Sequence, residues 1–453
     1  MISVPFLYPE HPQPFDWFRS LKIGRKAVCF KKINESLLMK FRILYLIVFI
    51  PLIAIYNLGC QPAGQEITSE EFLQEHIEWL SYSDREGRLA GTIQEADAAN
   101  YIADRFLQYG LEPAGDQGTY FQQFTLSGPM AQVMEKENYL SRNVAGLIEG
   151  REHPGRYIII GAHYDGQGKG GAISMEHNSA PAIHPSADDN ASGIAGLLYQ
   201  ARHFYDNPPN HTILLVAFSG EEMGLLGSRY FVSEMEMPRD SVMAMINMDM
   251  IGRLDEGELT IFGTGTANIW DNLLESVPGE NLTITKTPGG MGSSDHASFY
   301  EAGIPVLHYF SGIHDDYHRS TDTSEKINYI GMQWILGHIK NTVETLDEMD
   351  IAEVEFLGST DPRGSAMRGD RMRLGVIPDY SYSGNGFRIE SVRQGQPADQ
   401  AGFENGDVVL EMNGEPIQDL LDYAQKLGAF NEGDEVTFKV QRGDDEIELN
   451  VVF

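Results

Sequence analysis

The segment 157–162 (YIIIGA) is the feature that most restricts how this chain can fold. It is apolar at consecutive positions without alternation, which is typical of a strand buried on both faces of an α/β sheet. Segments 212–219 and 242–248 have the same character, and helical patterns cover 191–205 and 329–349. The sequence therefore predicts an α/β domain whose mostly parallel central sheet carries helices on both faces.

Polar residues follow each of these predicted strands. His163 and Asp165 come after the first strand, Glu221 and Glu222 after the second, and Asp249 after the third. In open α/β sheets, ligands bind beyond the carboxyl ends of the strands. The sequence thus predicts that a functional site gathers these side chains at one edge of the sheet.

Each of these motifs also has an ordinary structural interpretation. A lone His-x-Asp is common, and a Glu-Glu pair is usually solvated surface. The segment 186–193 (SADDNASG), which contains Asp188 and Asp189, would by itself be read as a helix N-cap. The order and spacing of the motifs along one chain favour a shared metal site over separate structural roles.

Charge and cysteine content exclude some classes of partner and of metal ligand. The formal net charge is −33, so the surface should repel nucleic acid. Cys29 and Cys60 are the only cysteines in the sequence. Both lie in the first sixty residues, whose lipoprotein-like signal is described next, and neither would remain a free thiol in a mature lipoprotein. We therefore expect no disulfide, and any metal must be held by His, Asp and Glu.

The first sixty residues have the pattern of an export signal rather than of a folded domain. Lys40 and Arg42 precede an apolar run at 43–56, and Gly59-Cys60 resembles the end of a bacterial lipoprotein signal. Asn57 departs from the aliphatic residue usual in that pattern. We interpret 39–60 as a lipoprotein-like signal peptide and 1–38 as a misassigned upstream extension. This predicts an exported bacterial protein, periplasmic or anchored to the outer membrane by lipid.

Residues 66–350 resemble the two-zinc aminopeptidases, a family that includes bacterial leucyl aminopeptidases, aminopeptidase Y-type enzymes and glutamate carboxypeptidases. The resemblance implies two Zn²⁺ ions per chain and peptide substrates with a free N-terminus. Carried over by position, it assigns one zinc to His163 and Glu222, the other to Asp249 and His318, and the bridging carboxylate to Asp188, with Asp189 in the same turn.

The same resemblance implies roles around the metals. Glu221 would be the general base that takes a proton from the attacking water, and Asp165 would orient His163. Tyr317 would donate to the developing oxyanion. His296, in the Ser294-Asp295-His296 motif, would be structural or would face the substrate. A carboxylate near His318 is expected to orient that imidazole.

Residues 373–453 resemble a PDZ domain, joined through a linker at 351–372. Leu374, Gly375 and Val376 fit the loop whose backbone N–H groups receive a peptide or protein C-terminus. The alternative is that this domain only packs on the catalytic domain.

Two other functions stay open at this point: a single-zinc glutaminyl cyclase on the same fold, and a non-catalytic anchored binding protein. The segment 88–92 (RLAGT), between two predicted helices, is expected to be a polar loop.

Overall fold

The computed structural model describes residues 68–171, 173–176, 180–358, 374–378, 385–392, 396–418, 423, 426–427, 430, 433–443 and 445–453. The predicted signal peptide, the upstream extension and most of the linker lie outside these residues. Among the described residues, none of the helices combines the length and apolarity needed to cross a membrane.

Nine α-helices lie within the described residues: α1 (Ser69–Ser81), α2 (Ile93–Gln108), α3 (Pro129–Val133), α4 (Gly193–Asp206), α5 (Leu226–Ser233), α6 (Trp270–Ser276), α7 (His296–Glu301), α8 (Tyr329–Asp347) and α9 (Pro397–Ala401).

Local sequence explains where α1 begins and where α2 begins and ends. Thr68 forms a capping box with Glu71, because the Thr68 side chain accepts the Glu71 N–H and the Glu71 carboxylate accepts the Thr68 N–H. Thr92 caps α2, and Gly110, with φ +82°, follows its end.

Fifteen strands form two sheets among the described residues. The larger sheet contains β1 (Glu112–Pro113), β2 (Phe121–Thr125), β3 (Leu140–Ile148), β4 (His153–His163), β5 (His211–Phe218), β6 (Val242–Met248), β7 (Glu258–Phe262), β8 (Thr283–Thr287) and β9 (Val306–Phe310). The smaller sheet contains β10 (Val376–Pro378), β11 (Phe387–Val392), β12 (Val408–Met412), β13 (Glu415–Pro416), β14 (Glu435–Arg442) and β15 (Asp445–Val452).

The larger sheet has the order β1-β3-β5-β4-β6-β9-β7-β8, with β2 paired to β3. Its centre is parallel, since β4 pairs in parallel with β5 and β6, and β6 with β9. Antiparallel pairs occur toward the edges, where β3 meets β5 and β7 meets β9. The predicted α/β class with a mostly parallel central sheet is confirmed.

Helices cover both faces of this sheet. Alternate residues of β4 point to opposite cores: Ile158 and Ile160 pack with residues of α1, α2, α4, α6 and α8, whereas Ile159 packs with residues of α5 and α7. This two-sided burial explains why the strand is apolar at consecutive positions.

The smaller sheet is antiparallel throughout and has its own core. Phe387, Ile389, Phe438 and Val440 are among its buried side chains. The start of the predicted linker packs on the domain of the larger sheet, since the Leu357 N–H donates to the Thr266 carbonyl at 2.9 Å.

Candidate metal centre

The central parallel strands bring three of the predicted motifs together. Because β4 lies between β5 and β6 and is parallel to both, the carboxyl ends of the three strands are neighbours. His163 ends β4, Glu221 and Glu222 lie just beyond β5, and Asp249 follows β6 directly. The predicted edge of the sheet is therefore the place where these side chains meet.

The first group of donor atoms comprises His163, Asp189 and Asp249. His163 Nε2 lies 3.3 Å from Asp189 Oδ1 and 3.4 Å from Asp249 Oδ1. Ligands at the corners of a tetrahedron around zinc, at about 2.0–2.1 Å from the ion, are roughly 3.3 Å apart. The two carboxylate oxygens are thus as far from the imidazole nitrogen as ligands of one zinc ion are.

The second group comprises Asp189, Glu222 and His318. His318 Nε2 lies 3.2 Å from Asp189 Oδ2 and 3.5 Å from Glu222 Oε2. Asp189 therefore offers one carboxylate oxygen to each group. The two groups share this residue and no other.

Asp188 does not have the bridging position that the family pattern assigned to it. Its carboxylate is fully buried on the other side of the turn, where Oδ1 accepts the Gly252 N–H at 2.6 Å and Oδ2 lies 3.1 Å from His314 Nε2. Asp188 belongs to neither donor group, because neighbouring side chains in this turn point to different partners. Asp189 has one oxygen in each group instead.

The expected pairing of ligands also needs correction. His163 lies with Asp249, not with Glu222, and Glu222 lies with His318. Strand order explains this, because β4 and β6 end side by side, whereas the His318 loop approaches from beyond β9. The five side chains still form one cluster.

The residues present fit zinc. Imidazole nitrogen and carboxylate oxygen are zinc ligands, and one buried oxygen of Glu222, Oε1, has no hydrogen-bond partner within the described residues. Burial raises the pKa of Glu222 to about 8 despite the nearby His318. A buried carboxylate in this situation needs a cation to stabilise its charged form.

His163 is in a strongly anionic environment. Burial by itself would lower the pKa of His163, but the carboxylates of Asp249 and Glu221 outweigh it and raise that pKa well above its usual value. A cation placed among these acids would replace the proton that the imidazole otherwise retains.

Glu221 lies beside the first group without belonging to it. Its Oε2 is 4.0 Å from His163 Nε2. Burial raises the pKa of Glu221 well above its usual range, and Asp249 adds to this rise while His163 opposes it. Such a carboxyl group is placed to accept a proton from a water held at the donor atoms.

The two imidazoles are oriented by different means. His163 Nδ1 faces Asp165, with the backbone carbonyl at 3.3 Å and the carboxylate Oδ1 at 3.7 Å. His318 Nδ1 is 2.8 Å from the carbonyl oxygen of Ile173. The expected carboxylate partner for His318 is therefore replaced by a backbone carbonyl, which can fix the tautomer equally well.

Tyr317 and His296 lie in different surroundings. The Tyr317 ring stacks on His318 with centroids 3.8 Å apart, so it borders the second group. His296 is fully buried and stacks on His308 at 4.4 Å, and burial lowers the pKa of His296 to about 3. His296 belongs to neither group of donor atoms, and its structural or substrate-facing role stays a prediction.

Sequence reasoning missed one residue that shapes the turn, Asp322. Its carboxylate accepts the backbone N–H groups of Asp188 and Asp189, at 3.0 and 3.1 Å to Oδ2. Burial and the nearby Asp188 raise the pKa of Asp322 to about 7. Its position four residues after His318 was the available signal, but that signal could not show which backbone it contacts.

Asp295 was also missed. It is fully buried, and neither of its oxygens has a hydrogen-bond partner in the part of the chain that is described. Burial raises the pKa of Asp295 to about 7. His163 opposes this rise, whereas Asp165 and Asp249 add to it. Its place beside His296 in the quoted motif was the only signal in the sequence.

The predicted carboxylate loop of the smaller domain begins at a core residue. Leu374 is buried, and its carbonyl accepts the Ala398 N–H at 2.8 Å. Gly375 has φ +87°, and Val376 starts β10.

Two family models match the chain where these two domains lie. Residues 143–342 match the model for Peptidase family M28, and residues 368–452 match the model for the PDZ domain. Residues 143–342 form a domain of peptidase family M28. This M28 domain contains all the residues of the two donor groups, and the C-terminal sheet belongs to a PDZ domain.

Two relatives of the M28 domain are named as aminopeptidases. Aminopeptidase YwaD of Bacillus subtilis is 31% identical over 209 residues, which is 42% of this chain and 41% of the relative. Leucine aminopeptidase 1 of Arthroderma gypseum is 29% identical over 234 residues, 47% of this chain and 59% of the relative. The alignments thus span less than two thirds of these relatives.

Solved structures share the fold of the M28 domain. A zinc aminopeptidase from Bacillus subtilis has a TM-score of 0.51 at 18% identity and covers 65% of this chain and 100% of its own. A glutaminyl cyclase from Porphyromonas gingivalis has a TM-score of 0.50 at 16% identity and covers 61% of this chain and 98% of its own. Because both chemistries occur on this fold, the fold alone does not choose between them.

Proposed function

We propose that this chain is an exported aminopeptidase that uses two zinc ions to remove N-terminal residues from peptides. The observation that carries the proposal is that Asp189 offers one oxygen to each of two donor groups, with Glu221 beside them. His163 and Asp249 would hold one ion with Asp189, and Glu222 and His318 the other.

The residues of the site would have the following roles in the reaction. When bound, the zinc ions would polarise the scissile carbonyl and make the attacking water more acidic. Glu221 takes the proton from that water and transfers it to the leaving amine. Asp165 and the Ile173 carbonyl keep the two imidazoles in the required tautomer, and Tyr317 donates to the oxyanion.

The proposed substrate class, peptides with a free α-amine, rests on the relatives and not on excess charge at the site. Two Zn²⁺ ions would balance the four carboxylates of Asp189, Asp249, Glu221 and Glu222. The names of the relatives at 31% and 29% identity support the same substrate class.

Two parts of the proposal concern location and partners. We propose that the lipoprotein-like signal at 39–60 exports the protein and that lipid on Cys60 anchors it, in the periplasm or at the outer membrane. The PDZ domain would bind the C-terminus of a peptide or protein through Leu374, Gly375 and Val376.

Glu221 and Glu222 provide a matched pair for testing the mechanism. Glu221→Gln keeps size and polarity but removes the proton acceptor, so turnover should fall by about 10²–10⁴-fold while zinc content stays that of the wild type. Glu222→Gln should lower zinc content as well, because it alters a proposed ligand. Metal analysis and hydrolysis of aminoacyl anilides by the purified full chain would measure both.

A substrate panel separates the competing functions. Hydrolysis of free aminoacyl substrates but not of their N-acetylated forms is the expected result. One zinc per chain together with cyclisation of N-terminal glutaminyl peptides would instead establish a cyclase. Bound zinc without turnover of any substrate in the panel would favour a binding protein.

A further inference from the structure

Arg88 is a buried cation in a segment that the sequence analysis expected to be a polar loop. Its side chain is fully buried, which corrects that expectation at this position. The guanidinium donates to four backbone carbonyls: Leu80 at 2.7 Å, Tyr164 at 2.8 Å, Pro185 at 2.9 Å and Ser186 at 3.0 Å. The planar fork of donors on arginine makes such an arrangement possible, and lysine has no equivalent.

Two of these carbonyls belong to the segments that carry the first metal ligands. Tyr164 directly follows His163, and Ser186 lies three residues before Asp189. Arg88 therefore connects the backbone at His163 to the backbone at the bridging turn. The distance of 3.3 Å between His163 Nε2 and Asp189 Oδ1 depends on how these two segments are held.

The backbone around Arg88 reinforces the same connection. The Arg88 carbonyl accepts the Gly166 N–H at 3.3 Å, and the Gly87 carbonyl accepts the Gly168 N–H at 3.0 Å. Gly87 has φ +71°, and a Cβ there would lie 2.4 Å from the Gly168 carbonyl oxygen, so this close approach requires glycine.

Arg88 also contributes charge to the site. Burial lowers the pKa of Arg88 to about 10, but Asp165, Asp189, Asp322 and Glu222 act in the opposite direction, and the group stays protonated. Buried carboxylates that face one another repel, and a fixed cation among them reduces this repulsion before any metal binds.

We propose that Arg88 is a positioning residue that assembles the bridging turn and the His163 segment into a zinc-binding geometry in the metal-free protein. The inference rests on the proposed zinc site, and it assigns a function to a residue that precedes the M28 match at 143–342. The hydrogen bonds of the Arg88 side chain go to the backbone near the ligands and not to the ligand side chains.

The test compares Arg88→Lys and Arg88→Gln with the wild type. Lysine keeps the charge but loses the fork, whereas glutamine loses both. Zn²⁺ is titrated into the metal-free full chain against a chelating competitor, and thermal unfolding is followed with and without Zn²⁺. Ile102→Ala is the control, since Ile102 is fully buried in α2, a helix that carries no ligand.

We expect Zn²⁺ affinity to fall on the order of 10–100-fold in Arg88→Lys and further in Arg88→Gln, while Ile102→Ala lowers the melting temperature without changing affinity. A variant of Arg88 that folds only in the presence of Zn²⁺ would also support the proposal. Wild-type affinity in Arg88→Lys, or failure of both variants to fold even with Zn²⁺, would overturn it. A wild type that binds no Zn²⁺ would instead refute the proposed function.

Discussion

Both domains of this chain bury carboxylates, but they satisfy them in opposite ways. In the PDZ domain, Asp407 is fully buried and both of its oxygens accept hydrogen bonds from Arg442, each at 2.8 Å. Its Oδ2 also accepts the Glu404 N–H at 2.9 Å. Within its own domain, this acid has all the partners that a buried charge requires.

At the edge of the M28 sheet the acids are left incomplete. Asp165 Oδ2, Glu222 Oε1 and both oxygens of Asp295 are buried without hydrogen-bond partners among the residues described. The buried acid of the PDZ domain therefore has a structural role, because protein groups satisfy its charge. The buried acids of the M28 domain instead have oxygens free to bind a group that the chain does not itself supply. Unpaired buried charge is destabilising, so such a cluster is consistent with a function that requires it.

The largest effect should come from the residue shared by the two donor groups. Asp189→Ala removes one oxygen from each group, so we expect loss of both zinc ions and of measurable turnover. Asp188→Ala is the matched control one residue away; because the Asp188 carboxylate contacts the Gly252 N–H and His314 and lies in neither donor group, it should weaken metal binding by about 10–100-fold. Metal analysis of both variants checks this, and equal zinc loss in the two would contradict the distinction between them.

Removal of the metal by chelation should have a smaller effect, which is measured as a loss of folding stability. A ligand at about 1,000 times its Kd stabilises the folded state by roughly 4 kcal/mol, so chelation should destabilise the M28 domain and leave the PDZ domain unchanged. All tryptophans of the described residues (Trp79, Trp270 and Trp334) lie in the M28 domain, so their fluorescence reports its unfolding.

Hydrogen exchange in β14 and β15 provides the internal control for this experiment. Chelation should leave exchange in these PDZ strands as it is in the zinc-loaded protein. Faster exchange there would show that the two domains share their stability.

The smallest effect on the metal centre should come from the PDZ acid. Arg442→Met leaves the buried Asp407 carboxylate with the Glu404 N–H but without a cation. Because the Arg442 side chain is 31% exposed, the cost should be on the order of 2–3 kcal/mol, below that of a fully buried pair. Denaturant unfolding monitored by exchange in β14 and β15 measures this loss, and zinc content and turnover should not change. A loss of zinc in this variant would remove the contrast between the domains.

Prediction from sequence succeeded where one segment dictates its own environment. The consecutive apolar residues of 157–162 gave a strand buried on both faces, and the residues after three such strands gave His163, Glu221, Glu222 and Asp249 at one edge. These inferences need only the geometry of a parallel sheet.

Prediction failed where two residues of the same type differ only in the direction of their side chains. Asp188 and Asp189 are adjacent and chemically identical, and the choice between them depends on backbone torsions in the turn, where Asp189 and Asn190 depart from helical values. The pairing of His163 with Asp249 depends on strand order, and the orientation of His318 on a carbonyl 145 residues away.

The sequence by itself determined the fold class, the two domains and the chemical types at the metal centre, because apolar runs and strand-terminal polar residues report burial and edge position locally. Only the tertiary structure decided which aspartate is shared, which ligands are neighbours and why Arg88 is buried. Each of these is a contact between segments distant in the chain, and its direction is set by backbone conformation and strand order rather than by residue type.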